Sequence, residues 1–237
     1  MGKESNRRAS LSKVLLLAEG FTEERFVKNV LAPHLLRYGV YLTPTVVNTK
    51  VLVSGERLKG GGDFGKLESN LRGLLRDSAA VAITMFYDYY AFPSNFPPKF
   101  PAPNLEDGLG AKGADGLESA LAAYFNNPRF KPFVHLHEFE AFMFVNAEST
   151  AANLLNRGLA KLIANERAAF ENAEAINDGV NTAPSKRIKR LAPTFEKLAQ
   201  GVIIAEKTGL PALRADCPRF SAWVAWLEGL GNIKSAS

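Results

Sequence analysis

The stretch Val14-Leu15-Leu16-Leu17-Ala18-Glu19-Gly20-Phe21-Thr22-Glu23 constrains this chain most. Its apolar run, set between Lys13 and Glu19, reads as a short strand covered on both faces, the habit of parallel sheets. Gly20 permits a sharp turn, and Thr22 is placed to cap a helix starting at Glu23. Glu19 then stands just past the C-terminal end of the strand, where open α/β sheets keep their ligand sites. Glu19 and Glu23 flank one strand-turn-helix corner and can face one cation. The structural alternative makes Glu19 a turn residue and Glu23 a favourable first-turn acid.

The same alternation continues along the chain. Glu23 to Arg37 has helical spacing, interrupted by Pro33, which kinks or splits the helix. Val40 to Val47 is β-branched and aromatic, and Pro44 suits an edge strand. Leu52 to Gly65 reads as a glycine-rich, charged loop without the Gly-Lys-Ser/Thr ending of a P-loop. Asp63 to Arg76 reads as a helix, and Ala79 to Phe86 as a buried strand delivering Asp88. Phe92 to Pro103 is a proline-rich loop, and Leu117 to Phe125 a short helix. Phe133 to His137 reads as a fourth strand whose alternation puts His135 and His137 on one face, with a helix beginning at Glu138.

From Thr150 the pattern turns helical. Residues 150–172 read as one or two amphipathic helices anchored by Leu154, Leu155, Leu159, Leu162, Ile163 and Phe170. Ile176 to Gly179 is a turn, and Pro184 opens a basic helix containing Lys186-Arg187-Ile188-Lys189-Arg190. Phe195 to Lys207 continues in helix. A last helix packs through Phe220, Trp223, Trp226, Leu227 and Leu230. The expectation is an α/β core over 11–148, with a compact, mostly parallel four-stranded sheet flanked by helices, and a mainly helical C-terminal extension over 149–230 packed on it. The 237 residues, 46% apolar with 16 Phe, suffice for such a core.

Cysteine and charge narrow the chemistry. A lone Cys217 excludes an internal disulfide and a cysteine-based zinc cluster. No long apolar segment and no signal-peptide core are evident, so a cytoplasmic protein away from membranes is expected. The formal charge of +5 is uneven, concentrated near the start and at 186–190. That suits a polyanionic partner, although a solvated helix face accounts for a basic run equally well.

Three strands thus end in acids: Glu19, Asp88 and the pair Glu138/Glu140. Clustered carboxylates repel one another unless protonated or neutralised by a cation. Hard oxygen donors without cysteine favour Mg²⁺ or Mn²⁺, ions that polarise phosphodiesters and generate hydroxide. Lys186 and Arg187 are candidate cations beside a phosphate. His135 and His137 join the candidates beside the ion, or form the centre of a His-assisted hydrolase, or are core residues.

Glu19-Gly20-Phe21-Thr22-Glu23, the strand ending in Asp88, and His135-Leu136-His137-Glu138-Phe139-Glu140-Ala141-Phe142 together resemble an uncharacterised Toprim-like family, of the domain-of-unknown-function 4276 type. Asn177-Asp178-Gly179, Pro184-Ser185-Lys186-Arg187 and Cys217-Pro218-Arg219-Phe220 extend the resemblance over nearly the whole chain. The wider Toprim group includes topoisomerases, primases and the overcoming-lysogenization-defect nucleases, to which this family is distantly similar. The resemblance implies Mg²⁺-dependent phosphoryl transfer with Glu19 as the first acid, Glu23 as the second glutamate of the nuclease branch, and Asp88 as the first Asp of Asp-x-Asp. Tyr90 stands where that motif has its second Asp, leaving Glu138 or Glu140 to replace it.

On this reading the catalytic candidates are Glu19, Asp88 and Lys186. Metal ligands are Glu19, Glu23, Asp88, Glu138 and Glu140, and nucleic-acid contacts are Lys186, Arg187, Lys189 and Arg190. The expected function is a Mg²⁺- or Mn²⁺-dependent nuclease, or related phosphoryl-transfer enzyme, acting on DNA or RNA. The alternative is a noncatalytic nucleic-acid-binding or ATPase-associated subunit. The resemblance also implies a separately encoded ATPase partner in a phage-defence setting.

Overall fold

A computed structural model describes residues 11–47, 63–96, 110–177 and 181–232. The glycine-rich loop up to position 62, positions 97–103 of the proline-rich loop, and Asp178-Gly179 lie outside them. Four strands form one parallel sheet: β1 (Ser12–Ala18), β2 (Val40–Val46), β3 (Ala82–Asp88) and β4 (Phe130–His135), in the order β2-β1-β3-β4. The register runs Ala18↔Val46 and Ala18↔Phe86 across the centre, and Asp88↔His135 at the outer pair. Pro44 lies on the edge strand β2, where its missing N–H breaks no ladder on the open side.

Strand order dictates where the helices go. The chain leaves β1 in one direction to reach β2, then crosses back over β1 to β3 and on to β4. Right-handed crossovers therefore put the first helices on one face and the later ones on the other. Accordingly α1 (Phe21–Phe26), α2 (Ala32–Leu36) and the turn joining them bury Phe26, Val27, Leu31 and Leu35 against Val14, Leu16 and Ala18. On the opposite face α3 (Phe64–Leu75) and α4 (Gly110–Phe125) pack Phe64, Leu67, Leu71, Leu117 and Leu121 against Leu15 and Leu17. Alternate residues of β1 thus feed two cores, as a strand covered on both sides requires.

The C-terminal helices complete the cover of the first face over β3 and β4, beside Phe26, Phe139 and Phe142. These helices are α5 (Ala147–Asn153), α6 (Leu159–Ala168), α7 (Pro184–Leu191), α8 (Val202–Thr208), α9 (Leu210–Asp216) and α10 (Pro218–Gly229). From α10, Trp223 stacks on Phe133 at 4.5 Å and donates its indole N–H to Thr84 Oγ1 at 3.0 Å. Phe220 and Leu227 join the same core. Each such side chain contributes about 1.5–3 kcal/mol by leaving water. Beyond α10, Ser12 Oγ donates to the Leu230 carbonyl, and Gly231 presses on the Tyr38 carbonyl so closely that a β-carbon would come within 1.6 Å of its oxygen.

Local details depart from the sequence expectations. The first helix starts at Phe21, with Gly20 at its N-cap and no side-chain cap; Thr22 is instead buried. Pro33 splits the helix through a π-helical turn at Val27–Leu31, which accommodates the N–H that proline lacks. The Ala79–Phe86 strand begins at Ala82 and runs on to Asp88, and α4 begins at Gly110, ahead of Leu117. After β4 comes a 3-10 turn, Phe139–Phe144, rather than a regular helix from Glu138. Leu155 and Leu162 are not anchors: they are 93% and 48% exposed, because the chain turns through a positive φ at Leu155 and α6 faces inward through Leu159 and Ile163.

Candidate active site

In an order of β2-β1-β3-β4 the connections reverse direction between β1 and β3, and the crevice at the C-terminal ends of those strands is the natural ligand position. Glu19 sits there immediately after β1. Its amide donates to the Phe86 carbonyl at 3.1 Å, and its Oε2 accepts from the Asp88 amide at 3.0 Å. Gly20 lets α1 begin at once, and a β-carbon there would stand 3.2 Å from Glu23 Oε2. Glu23, in the first turn of α1, is thereby brought back to the strand ends. Asp88 is the last residue of β3, and Glu140 comes from the 3-10 turn after β4. Glu23, Asp88 and Glu140 are only 2–3% exposed, while Glu19 is half-buried.

These acids face a cation that the sequence reading missed. Lys197 Nζ lies 3.1 Å from Glu140 Oε2, 3.3 Å from Asp88 Oδ2 and 3.6 Å from Glu23 Oε1. Its side chain is 34% exposed, and it opens a π-helical turn, Lys197–Gly201, leading into α8. A single lysine in a stretch read simply as helix carries no local signal of such a role. Only the packing of α8 beside α1 brings it to the strand ends.

One ammonium does not neutralise four carboxylates. Burial, then the proximity of Asp88 and Glu23, pushes the Glu19 carboxyl well above its ordinary pKa. Burial also raises Glu23, to about 7, with Lys197 opposing and Asp88 assisting. Glu140 is raised by burial against the pull of Lys197. For Lys197, burial disfavours the charge, but Asp88, Glu140, Glu23 and Glu19 outweigh it and hold the ammonium well above the usual lysine range. Glu23 Oε1 and Asp88 Oδ1 are buried without a hydrogen-bond partner, and Glu140 Oε2 has only its ion pair with Lys197. As they stand, no three His, Cys, Asp or Glu side chains among the described residues are set to hold a metal ion.

The remaining candidates divide. Glu138 turns toward α7 and accepts from the Ser185 amide at 2.8 Å, and burial, followed by Glu140, raises its pKa. His135 is fully buried among Phe142, Phe86 and Phe133, with ring centroids 4.8, 5.8 and 6.3 Å away. Burial, reinforced by Lys197, lowers its pKa to about 3. The strand ends at His135, and His137 adopts a φ of +68°, so the alternation that would put both rings on one face stops between them. His137 instead lies 5.2 Å from the Tyr90 ring, with a pKa lowered to about 4 by burial and by His135. Tyr90 receives a hydrogen bond from the Asn177 side-chain amide.

On α7, Lys186, Lys189 and Arg190 are exposed. Among the described residues no hydrogen bond or ion pair joins Lys186 to the acids; the cation the fold brings to them is Lys197. Arg187 is buried, donates to Glu166 and to the Thr182 carbonyl, and lies over the Phe170 ring. Arg190 shares Glu166 from the outside at 2.5 Å.

A family model described as a domain of unknown function, DUF4276, matches residues 18–228. The chain belongs to the DUF4276 family. No curated protein and no solved structure matches it. The DUF4276 match begins at the end of β1 and runs to the end of α10, so it takes in Glu19, Glu23, Asp88, Glu140 and Lys197 together with the helices that assemble them. Among the described residues of this DUF4276 chain, no helix is long and apolar enough to cross a membrane.

Proposed function

We propose that the carboxylate cluster is the phosphoryl-transfer site of a Mg²⁺- or Mn²⁺-dependent nuclease acting on DNA or RNA. The observation that carries this reading is the convergence of Glu23, Asp88 and Glu140 on one cationic point at the strand crossover, with Glu19 beside them on the Asp88 amide. The donor set is all hard oxygen, three of its buried oxygens lack any hydrogen bond, and its charge exceeds what Lys197 neutralises. Those features suit a hard divalent cation. Glu23, Asp88 and Glu140 would hold it once drawn inward from their present positions, with Glu19 kept in orientation by the Asp88 amide. The ion, when bound, supplies Lewis-acid polarisation of the phosphodiester and an activated water.

This reading includes a Toprim-like relationship, with Glu19, Glu23 and Asp88 at matching motif positions and Glu140 replacing the acid lost at Tyr90. The exposed cations of α7, Lys186, Lys189 and Arg190, give the polyanion a sequence-independent contact. A separately encoded ATPase, a role in phage defence and a cytoplasmic location complete the proposal.

The second reading, a noncatalytic nucleic-acid-binding or ATPase-associated subunit, is favoured by one observation: Lys197 already occupies the point where the acids converge. One assay separates the two. Purified protein is incubated with single- and double-stranded DNA and RNA with Mg²⁺ or Mn²⁺, beside Glu19→Gln and Asp88→Asn. Metal-stimulated cleavage lost in both variants supports the nuclease. Salt-sensitive binding without turnover supports the subunit, and equal cleavage by all three proteins eliminates the acidic site as the source of activity.

A further inference from the structure

We infer that Lys197 is a tethered counter-cation that holds the place of the divalent ion, so that metal binding requires its ammonium to leave and Lys197 sets the metal affinity of the site. The inference rests on the metal-dependent reading above and adds a residue and a competition that this reading does not contain. Lys197 Nζ is 3.1–3.6 Å from oxygens of Glu140, Asp88 and Glu23. Those are ion-pair distances, whereas a bound ion draws such oxygens to about 2.0–2.6 Å. The ammonium and a divalent ion therefore compete for one point and cannot share it.

The lysine is mounted so that it can move. The side chains of Glu23, Asp88 and Glu140 are 3–4% exposed and come from the sheet ends or elements packed on them, but that of Lys197 is 34% exposed. It reaches in from the solvent side. Glu196, Leu198 and Ala199 beside it are all exposed, while Phe195 and Val202 anchor the segment at either end. A rotation of the lysine stem into water thus disturbs no core contact of its neighbours.

The ammonium is also an incomplete solution for the acids. It leaves Asp88 Oδ1 without a partner and stands too far from Glu23 Oε1 for a hydrogen bond. A divalent ion with six or more oxygen ligands engages more of these atoms and cancels one more charge. Lys197 therefore holds the acids together when metal is scarce and yields when it is plentiful.

Mn²⁺ binding to the full chain, measured by calorimetry, tests this in wild type, Lys197→Met, Lys197→Gln and Asp88→Asn. Loss of the competing charge should tighten Mn²⁺ binding by tenfold or more in Lys197→Met, with Lys197→Gln standing in if the methionine variant does not fold. Asp88→Asn should bind weakly or not at all. A second measurement needs no variant: acylation of Lys197 by an amine-reactive reagent, followed by mass spectrometry, should rise several-fold on adding Mn²⁺ to wild type. Equal or weaker Mn²⁺ affinity after removal of the lysine charge, with Asp88→Asn still impaired, overturns the competition and leaves the metal site standing. Labelling unchanged at saturating Mn²⁺ does the same. Absence of binding in all four proteins overturns both the competition and the metal reading beneath it.

Discussion

The Asp88 amide at the end of β3 donates to Glu19 Oε2, just past β1, across 3.0 Å. One hydrogen bond thus couples the acids of two adjacent strands, orienting Glu19 while leaving the Asp88 carboxylate to face Lys197. An acid held this way serves a site at the expense of stability, since each further carboxylate added to the cluster meets repulsion.

That repulsion gives a pH signature for Glu23. Its folded-state pKa is raised to about 7 from an ordinary value near 4.5. Between these values the folded protein binds more protons than the unfolded one, so this group's contribution falls as pH rises through the window. Glu23→Gln removes the effect. Relative to wild type, the variant should gain on the order of 3 kcal/mol between pH 4.5 and pH 8. Urea unfolding of both proteins across that range measures it, and a wild-type-to-variant difference that does not change with pH defeats the prediction.

His135 should behave in the opposite sense. Its pKa is lowered from 6.5 to about 3 by burial and Lys197, so the neutral ring's contribution is intact above pH 6.5 and drains away as pH falls toward 3. His135→Leu should therefore lose less stability on acidification, by about 2 kcal/mol at pH 5. Metal-stimulated cleavage at pH 8 should remain within a few-fold of wild type, because the ring packs among phenylalanines. Abolished turnover in a well-folded variant would restore a chemical role to this histidine.

The basic run on α7 should split into two kinds of residue. Arg187→Ala removes a buried cation bound to Glu166 and Thr182 and should destabilise the protein by about 2–3 kcal/mol. Lys186→Ala and Lys189→Ala touch exposed positions and should stay within about 0.5 kcal/mol of wild type. Each of these two should weaken nucleic-acid binding and flatten its salt dependence. Thermal unfolding and binding titrations at several salt concentrations read the two effects separately. Unaltered salt slopes would make the exposed lysines a solvated face only.

Two glycines near the C-terminus differ sharply. A β-carbon on Gly231 would overlap the Tyr38 carbonyl, whereas Gly229 has open space. Gly231→Ala should lower stability by about 2 kcal/mol or more through backbone displacement, and Gly229→Ala should be neutral or stabilising by about 0.5 kcal/mol. Comparable melting temperatures for the two variants would mean that the contact between Gly231 and Tyr38 is not maintained.

Amino-acid order by itself determined the strand-helix alternation, the edge placement of Pro44, the parallel sheet and the helical C-terminal part. Each is written in local terms, as apolar runs too short for helices, periodic leucines and phenylalanines, and proline positions. It also put Glu19 and Asp88 at strand ends, since a strand's end is visible where its apolar run stops. The tertiary structure decided which of the acids after β4 joins the cluster: Glu140 turns in, and Glu138 goes to the Ser185 amide. It separated His135 from His137 through a backbone reversal that no periodicity announces. Above all it delivered Lys197, 109 residues beyond Asp88. A side chain's charge is local information, but the point in space where that charge acts depends on every helix packed before it.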